Sequence, residues 1–357
     1  MTRDVSLAPL STLGVGGTAE WFASAGTLAD VGSAHVWAHE RGLPLVVLGG
    51  GSNVVIADEG VRGLVLHNRI GGVVFESRSG ETVVSAGAGE PWDALVSACV
   101  ARGLAGVECL SGVPGGVGGT PIQNVGAYGQ EVGDTIATVT AFDREDGQMH
   151  ALPAAECGFA YRTSRFKTTD ADRWIVCGVT YRLRTGDPVV GYPDVQMQLE
   201  GRGIAAPTVS DVREAVLTVR RRKGMVLDLL DADTRSVGSF FINPNLTEDH
   251  REQIASTSGA SVPGYARADG RVKVPAAWLI EQAGFRKGHA DGAAGISTKH
   301  TLALVNRGGA TAADIVRLAA GIKRAVADRF DVMLRSEPVF LGFTSNPDLD
   351  YLRTDHR

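Results

Sequence analysis

Short apolar runs closed by glycine dominate the first third of the chain. Residues 44–48 (PLVVL) and 61–66 (VRGLVL) have the length and β-branched content of strands, with GGGSN between them. Residues 72–76 and 82–85 read as a meander. Pro91 then opens a helix with Trp92, Leu95, Val96, Cys99 and Val100 at helical spacing, stopped near Gly103. Strands are predicted over 136–142 and 174–183, with YRTSRFK between them. A helix from Ser210 puts Val212, Val216 and Val219 on one face and ends in Arg220, Arg221, Arg222 and Lys223. A basic last turn suits the helix dipole, so that cluster reads first as a C-terminal cap. An acidic connector over 228–233 marks a domain boundary. Beyond it, a helix is predicted over 275–283 and a longer one over 312–330, where Thr311 and Asp314 have capping-box spacing. A final strand over 332–343 carries Glu337. Strands and helices mix without a steady βαβ rhythm, which predicts α+β domains.

With 357 residues the chain is long enough for two or three domains. Its formal net charge of −5 argues against nucleic acid or an anionic membrane as the main partner. Any anionic ligand must therefore be drawn by local groups. No apolar run approaches the roughly 20 residues needed to span a bilayer. The start, MTRDVSLAPLSTLGVGG, lacks the pattern of a signal peptide, so a cytoplasmic protein is expected. Cys99, Cys109, Cys157 and Cys177 form no CxxC pair and read as reduced, mostly buried thiols. The histidines show no HExxH or similar spacing, so no metal is expected.

Candidate chemistry begins with SGVPGGVGGTPIQNVGAYG, Ser111 to Gly129. Glycine lets backbone N–H groups converge on an anion and lets the chain approach a ligand closely. A flexible linker would be monotonous and Gly/Ser-rich, whereas this stretch carries apolar residues. It reads as a built phosphate- or cofactor-holding loop, with an irregular connection as the alternative. GGGSN alone is a tight turn as readily as a phosphate loop, and no Walker lysine follows it. Two such loops in one half suit a dinucleotide, with Val113, Ile122 and Val125 as apolar contacts and Gln123 and Asn124 reading polar edges. YRTSRFK is either a solvated basic loop or a functional one. Ser239 in GSFF is a strand or turn serine unless it acts, and Glu337 is edge-exposed or functional.

Together these motifs resemble the family of UDP-N-acetylenolpyruvoylglucosamine reductases, the MurB family of peptidoglycan synthesis. The resemblance runs in order through LGGGSNVVIAD, SGVPGGVGGTPIQNVGAYGQEV, YRTSRFK, GSFFINP, VPAAWLIEQAGF, STKHTLALVN and SEPVFLGF. It implies an FAD-binding part of the vanillyl-alcohol-oxidase-like (PCMH-type) α+β fold in two subdomains and a C-terminal substrate domain. Residues 1–67, completed by a strand near 331–345, and 68–226 would be the two subdomains, and 227–330 the substrate domain. FAD would be held by Gly49, Gly50, Gly51, Ser52 and Asn53. From the longer loop it would meet Ser111, Val113, Pro114, Gly115, Gly118, Gly119, Ile122, Gln123, Asn124, Val125, Gly126, Ala127 and Tyr128, with Val176 flanking the pocket.

The resemblance further implies that NADPH reduces FAD, whose N5 passes hydride to the enolpyruvyl ether of UDP-N-acetylglucosamine. Arg162 and Glu337 match the family's groups at the substrate carboxylate, and Ser239 its proton donor. Lys223, Asn243 and Gln282 lie where the family meets substrate. GYPDVQMQLEGRG resembles the family's tyrosine-bearing loop, so Tyr192 would meet the diphosphate. Ile242 stands where many members have lysine. A monomer acting on small molecules is expected. The rival readings are another FAD-linked oxidase of the same binding fold and a non-enzymatic nucleotide-binding module.

Overall fold

A computed structural model describes residues 1–78 and 80–355. The chain forms two compact units. The first comprises 1–5, 19–51 and 62–226, and the second 6–18, 52–61 and the chain from Leu227 onward.

Two sheets build the first unit. One runs in the order Thr2–Ser6, Thr18–Ala25, Val61–Asn68, Leu45–Leu48, its last two strands parallel. Helix Leu28–His39 joins it, started by a capping box between Thr27 and Asp30. This helix buries Val31, Ala34 and Ala38. A stripe of such small residues gives weak hydrophobic periodicity, and the sequence pattern did not predict the helix. The other sheet is antiparallel, in the order Met149–Pro153, Ile136–Asp143, Trp174–Thr185, Glu81–Gly87, Val73–Arg78. Here the expected strands form, and helix Trp92–Val100 buries Trp92, Leu95, Val96, Cys99 and Val100 against them. Helices Pro193–Glu200 and Val209–Arg222 close the unit, packing Val195 and Leu199 on Val212, Ala215 and Val216. All four cysteines are free and buried.

The second unit has its own core around Phe240, Phe241, Leu279, Ile280 and helix Ala312–Phe330. That helix begins at the expected Thr311–Asp314 capping box. A sheet runs Ser236–Ser239, Ala303–Asn306, Ala294–Ile296, Ala290–Asp291. The expected strand over 332–343 is corrected: only Val339–Leu341 is a strand, parallel to Val54–Ile56. Pro338 has no N–H for a ladder, and Glu337 instead donates its N–H to the Phe240 carbonyl at 2.9 Å. Glu337 therefore lies just outside the strand. Among the described residues, no helix is long and apolar enough to cross a membrane.

Candidate active site

In the first unit the two glycine loops meet backbone to backbone. A Cβ on Gly50 would lie 2.7 Å from the Gly115 Cα and 2.8 Å from the Gly116 nitrogen, so only glycine permits this approach. A Cβ on Gly49 or Gly119 would have nothing within 4 Å. Segments distant in sequence thus form one surface with a glycine-lined opening, which suits the extended diphosphate of a dinucleotide such as FAD. Val113, Val125 and Ala127 pack onto the core beneath, while Ile122 is exposed. Gln123 and Pro114 are half-buried. Val176 is buried in its strand, its carbonyl accepting from the Asn68 amide at 2.8 Å.

Three residues expected at the cofactor use their side chains, or their lack of one, on the protein instead. Ser111 is fully buried and donates to the Glu108 carbonyl at 2.6 Å. Gly118 makes room for Ala88, whose Cβ a substituent would meet at 2.6 Å. The Asn124 amide donates to Glu131 Oε2 at 2.6 Å and to the Ala160 carbonyl at 3.1 Å, and accepts from the Gly133 N–H at 2.9 Å. Both amide hydrogens are thus committed to the protein, and the side chain holds the loop.

Further residues clasp the base of the loop. Gly112 donates to Asp93 Oδ1 at 2.6 Å, and Asp93 also takes a two-pronged bond from Arg213 at 2.6 and 3.0 Å. Burial pushes the Asp93 carboxyl up, but Arg213 and the Gly112 N–H outweigh it and hold the group below its usual range. Glu108, fully buried, accepts from Gln130 Nε2 at 2.9 Å and from the Gly106 N–H at 2.6 Å. Gln130 in turn accepts from the Cys109 N–H at 2.8 Å.

Arg162 sits in a tight turn. Ala160 and Thr163 exchange backbone bonds of 3.1 Å, which leaves Tyr161 and Arg162 as the central pair. Arg162 has φ of 55°, left-handed backbone that favours glycine. Its Nη2 donates to the Gly126 carbonyl at 2.7 Å. Arg165 is structural by contrast, paired with Asp170 at 2.5 Å.

Tyr128, Tyr192 and Lys223 also come together. The two rings meet edge-on with centroids 5.2 Å apart, and Lys223 Nζ lies 5.9 Å from the Tyr128 ring centre. Tyr192 immediately precedes helix Pro193–Glu200, and Lys223 follows helix Val209–Arg222. Lys223 binds Asp194 at 2.6 Å. Burial lowers the affinity of Lys223 for its proton, but Asp194 and the two tyrosines more than reverse this and raise it. Arg220, first read as part of a helix cap, is buried and donates to the carbonyls of Met225 at 2.7 Å and Gly112 at 3.3 Å. The sequence carried a signal for this: Arg220 follows Val216 by one helical turn and so lies on the apolar face.

The second unit holds Ser52, Asn53, Ser239, Glu337, Asn243 and Gln282. Main-chain bonds knit three of them together. Phe240, next to Ser239, donates to Leu302 at 2.8 Å and accepts from Glu337. Asn53 Nδ2 donates to the Glu337 carbonyl at 3.4 Å, and the Asn53 carbonyl accepts from the Val339 N–H at 3.0 Å. Ser239 is half-buried, and among the described residues its hydroxyl takes no hydrogen-bond partner. Gly238 before it has φ of 76°, which breaks the register of the strand. Asn243 and Gln282 are not brought together. Asn243 Oδ1 accepts from the Ala276 N–H at 2.9 Å, at the start of helix Ala276–Gln282, whereas Gln282 ends that helix, roughly 9 Å along its axis.

Comparison with known proteins bears on both units. The family model described as an FAD binding domain matches residues 19–152. The model for the C-terminal domain of UDP-N-acetylenolpyruvoylglucosamine reductase matches residues 230–341. The chain is 48% identical to the UDP-N-acetylenolpyruvoylglucosamine reductase of Thermobifida fusca, covering 96% of this chain and 98% of the relative. It is 46% identical to that of Streptomyces coelicolor, over 95% and 90%. Among solved structures, the reductase of Thermus caldophilus aligns over 96% of this chain and 99% of its own, with a TM-score of 0.65 and 26% identity.

Proposed function

The chain belongs to the family of UDP-N-acetylenolpyruvoylglucosamine reductases, flavin-dependent oxidoreductases of peptidoglycan synthesis, and from this we propose an NADPH-driven reduction of the enolpyruvyl ether to UDP-N-acetylmuramate. FAD, when bound, supplies the two-electron chemistry, accepting hydride equivalents from NADPH and passing them to the substrate alkene. Hydride addition to the terminal CH₂ spreads negative charge into the substrate carboxylate. Arg162 stabilises that charge with a planar guanidinium whose Nη2 is already anchored on Gly126. Glu337 is the second group at the carboxylate. Ser239 gives its proton to C2 and regains one from solvent, leaving the saturated lactyl ether. Tyr192 and Lys223 meet the diphosphate, and Asn243, through the amide nitrogen, and Gln282 meet the remainder of the nucleotide sugar.

One observation carries this reading: Ser239, its hydroxyl without a partner among the described residues, is knit by backbone to Glu337 through the 2.9 Å bond to Phe240. A proton donor must be fixed in place yet keep its hydroxyl for the ligand, and this arrangement supplies both. The test is spectroscopic. Purified protein is expected to be yellow, bleached by NADPH and recoloured by the enolpyruvyl substrate. Colourless protein that binds no FAD overturns the reading.

A further inference from the structure

Side-chain donors join the turn bearing Arg162 to the glycine loop. Ser164 Oγ donates to the Ile122 carbonyl at 2.6 Å, Asn124 Nδ2 to the Ala160 carbonyl at 3.1 Å, and Arg162 Nη2 to the Gly126 carbonyl at 2.7 Å. Ser164 and Asn124 are almost wholly buried, so losing these bonds would leave buried polar groups short of partners. Both Asn124, at φ 46°, and Arg162, at φ 55°, hold left-handed backbone. Such conformations persist only where the surroundings over-determine them. In the Arg162 turn the positive φ falls at the third position, as in a type II turn that would ordinarily take glycine.

We propose that Ser164 and Asn124 are positioning residues that clamp the Ala160–Thr163 turn to the glycine loop and thereby fix where the Arg162 guanidinium lies. This rests on the reading that Arg162 acts on the substrate carboxylate. Neither residue meets the reacting atoms. Ser164 anchors the chain leaving the turn, and Asn124 anchors the residue that opens it. The glycine loop and the turn form one piece, so the surface that suits the cofactor also sets the position of the arginine.

The test uses the full-length FAD-loaded protein with Ser164→Ala, Arg162→Ala and the double variant. Ser164→Ala removes the donor that ties the turn to the Ile122 carbonyl, so amide hydrogen exchange over 160–164 is expected to quicken by about tenfold. Reduction by NADPH should stay within about threefold of the parent, and reoxidation by the enolpyruvyl substrate should slow by about tenfold or more. The double variant should be no slower in reoxidation than Arg162→Ala alone, because Ser164 acts through Arg162. Asn124→Asp, of equal size but facing Glu131 and the Ala160 carbonyl without a donor, should quicken the same exchange. Unchanged exchange in both Ser164→Ala and Asn124→Asp, or additive losses in reoxidation, overturn the proposal. If Arg162→Ala alone reoxidises normally, the reading of Arg162 fails, while the exchange result still decides whether Ser164 and Asn124 hold the turn.

Discussion

Two serines, one in each unit, use their hydroxyls in opposite ways. Ser111, in the glycine loop, is fully buried and spends its hydroxyl on the Glu108 carbonyl. Ser239 is held only by its backbone, and its hydroxyl has no partner among the described residues. The same contrast extends to the asparagines: Asn124 uses both amide hydrogens and its oxygen on protein, whereas among the described residues Asn243 commits only its oxygen. The glycine loop is thus a cradle in which side chains fix the shape and glycines face the opening. At Ser239 this is reversed: the neighbouring Phe240 and Phe241 side chains are packed in the core, the main chain is hydrogen-bonded, and the serine hydroxyl has no partner among the described residues. A polar residue type says little until its hydrogen bonds are counted.

The sharpest way to break this contrast is Ser239→Ala. A positioned proton donor contributes about 10²- to 10⁴-fold, so reoxidation by substrate should fall by about that factor. Reduction by NADPH needs no such proton and should be nearly unaffected. Stopped-flow flavin absorbance separates the two steps, and equal losses in both would refute the division of labour. Arg162→Lys should come next, at about 10²-fold in reoxidation, because lysine lacks the planar fork that reaches both Gly126 and a carboxylate. Near-normal turnover of that variant removes Arg162 from the mechanism.

Glycine substitutions probe the cradle itself. Gly50→Ala forces a Cβ into Gly115, so it should cost about 1–3 kcal/mol of stability as overpacking and loosen FAD as well. Gly49→Ala meets no protein atom within 4 Å. It should leave the melting temperature of the FAD-free protein unchanged while weakening FAD binding. Flavin fluorescence titration beside thermal melts distinguishes the two, and a Gly49→Ala variant that binds FAD normally would show the opening lies elsewhere.

Much of this contrast could be anticipated by residue, but not by role. The helix Ala312–Phe330 was readable because a strong apolar stripe follows a capping box. Helix Leu28–His39 has the same kind of cap, yet its buried face of Val31, Ala34 and Ala38 is too small to register. The glycine loops stood out by composition, but their meeting at Gly50 and Gly115 is a tertiary event with no local signature. Likewise, nothing in YRTSRFK marks Arg162 as left-handed or Ser164 as its anchor. Local pattern reports which side chains favour burial, and it is silent on which polar groups satisfy one another.

The mildest perturbation acts on the cradle through acid. Asp93 ties Gly112 of the loop to Arg213, and its carboxyl is held below the usual range by those two donors despite partial burial. A group whose pKa is depressed by folding contributes stability that is complete above its unfolded value, near 4. That contribution is lost as pH falls through the folded value. The Asp93 side chain is 40% exposed, so solvent screens the pair and the effect should be small. Asp93→Asn should accordingly be less stable than the parent at pH 7, and the gap should narrow as pH drops below about 4. Urea denaturation across that range measures it. A gap that stays constant with pH would mean that Asp93 holds the loop by shape rather than by charge.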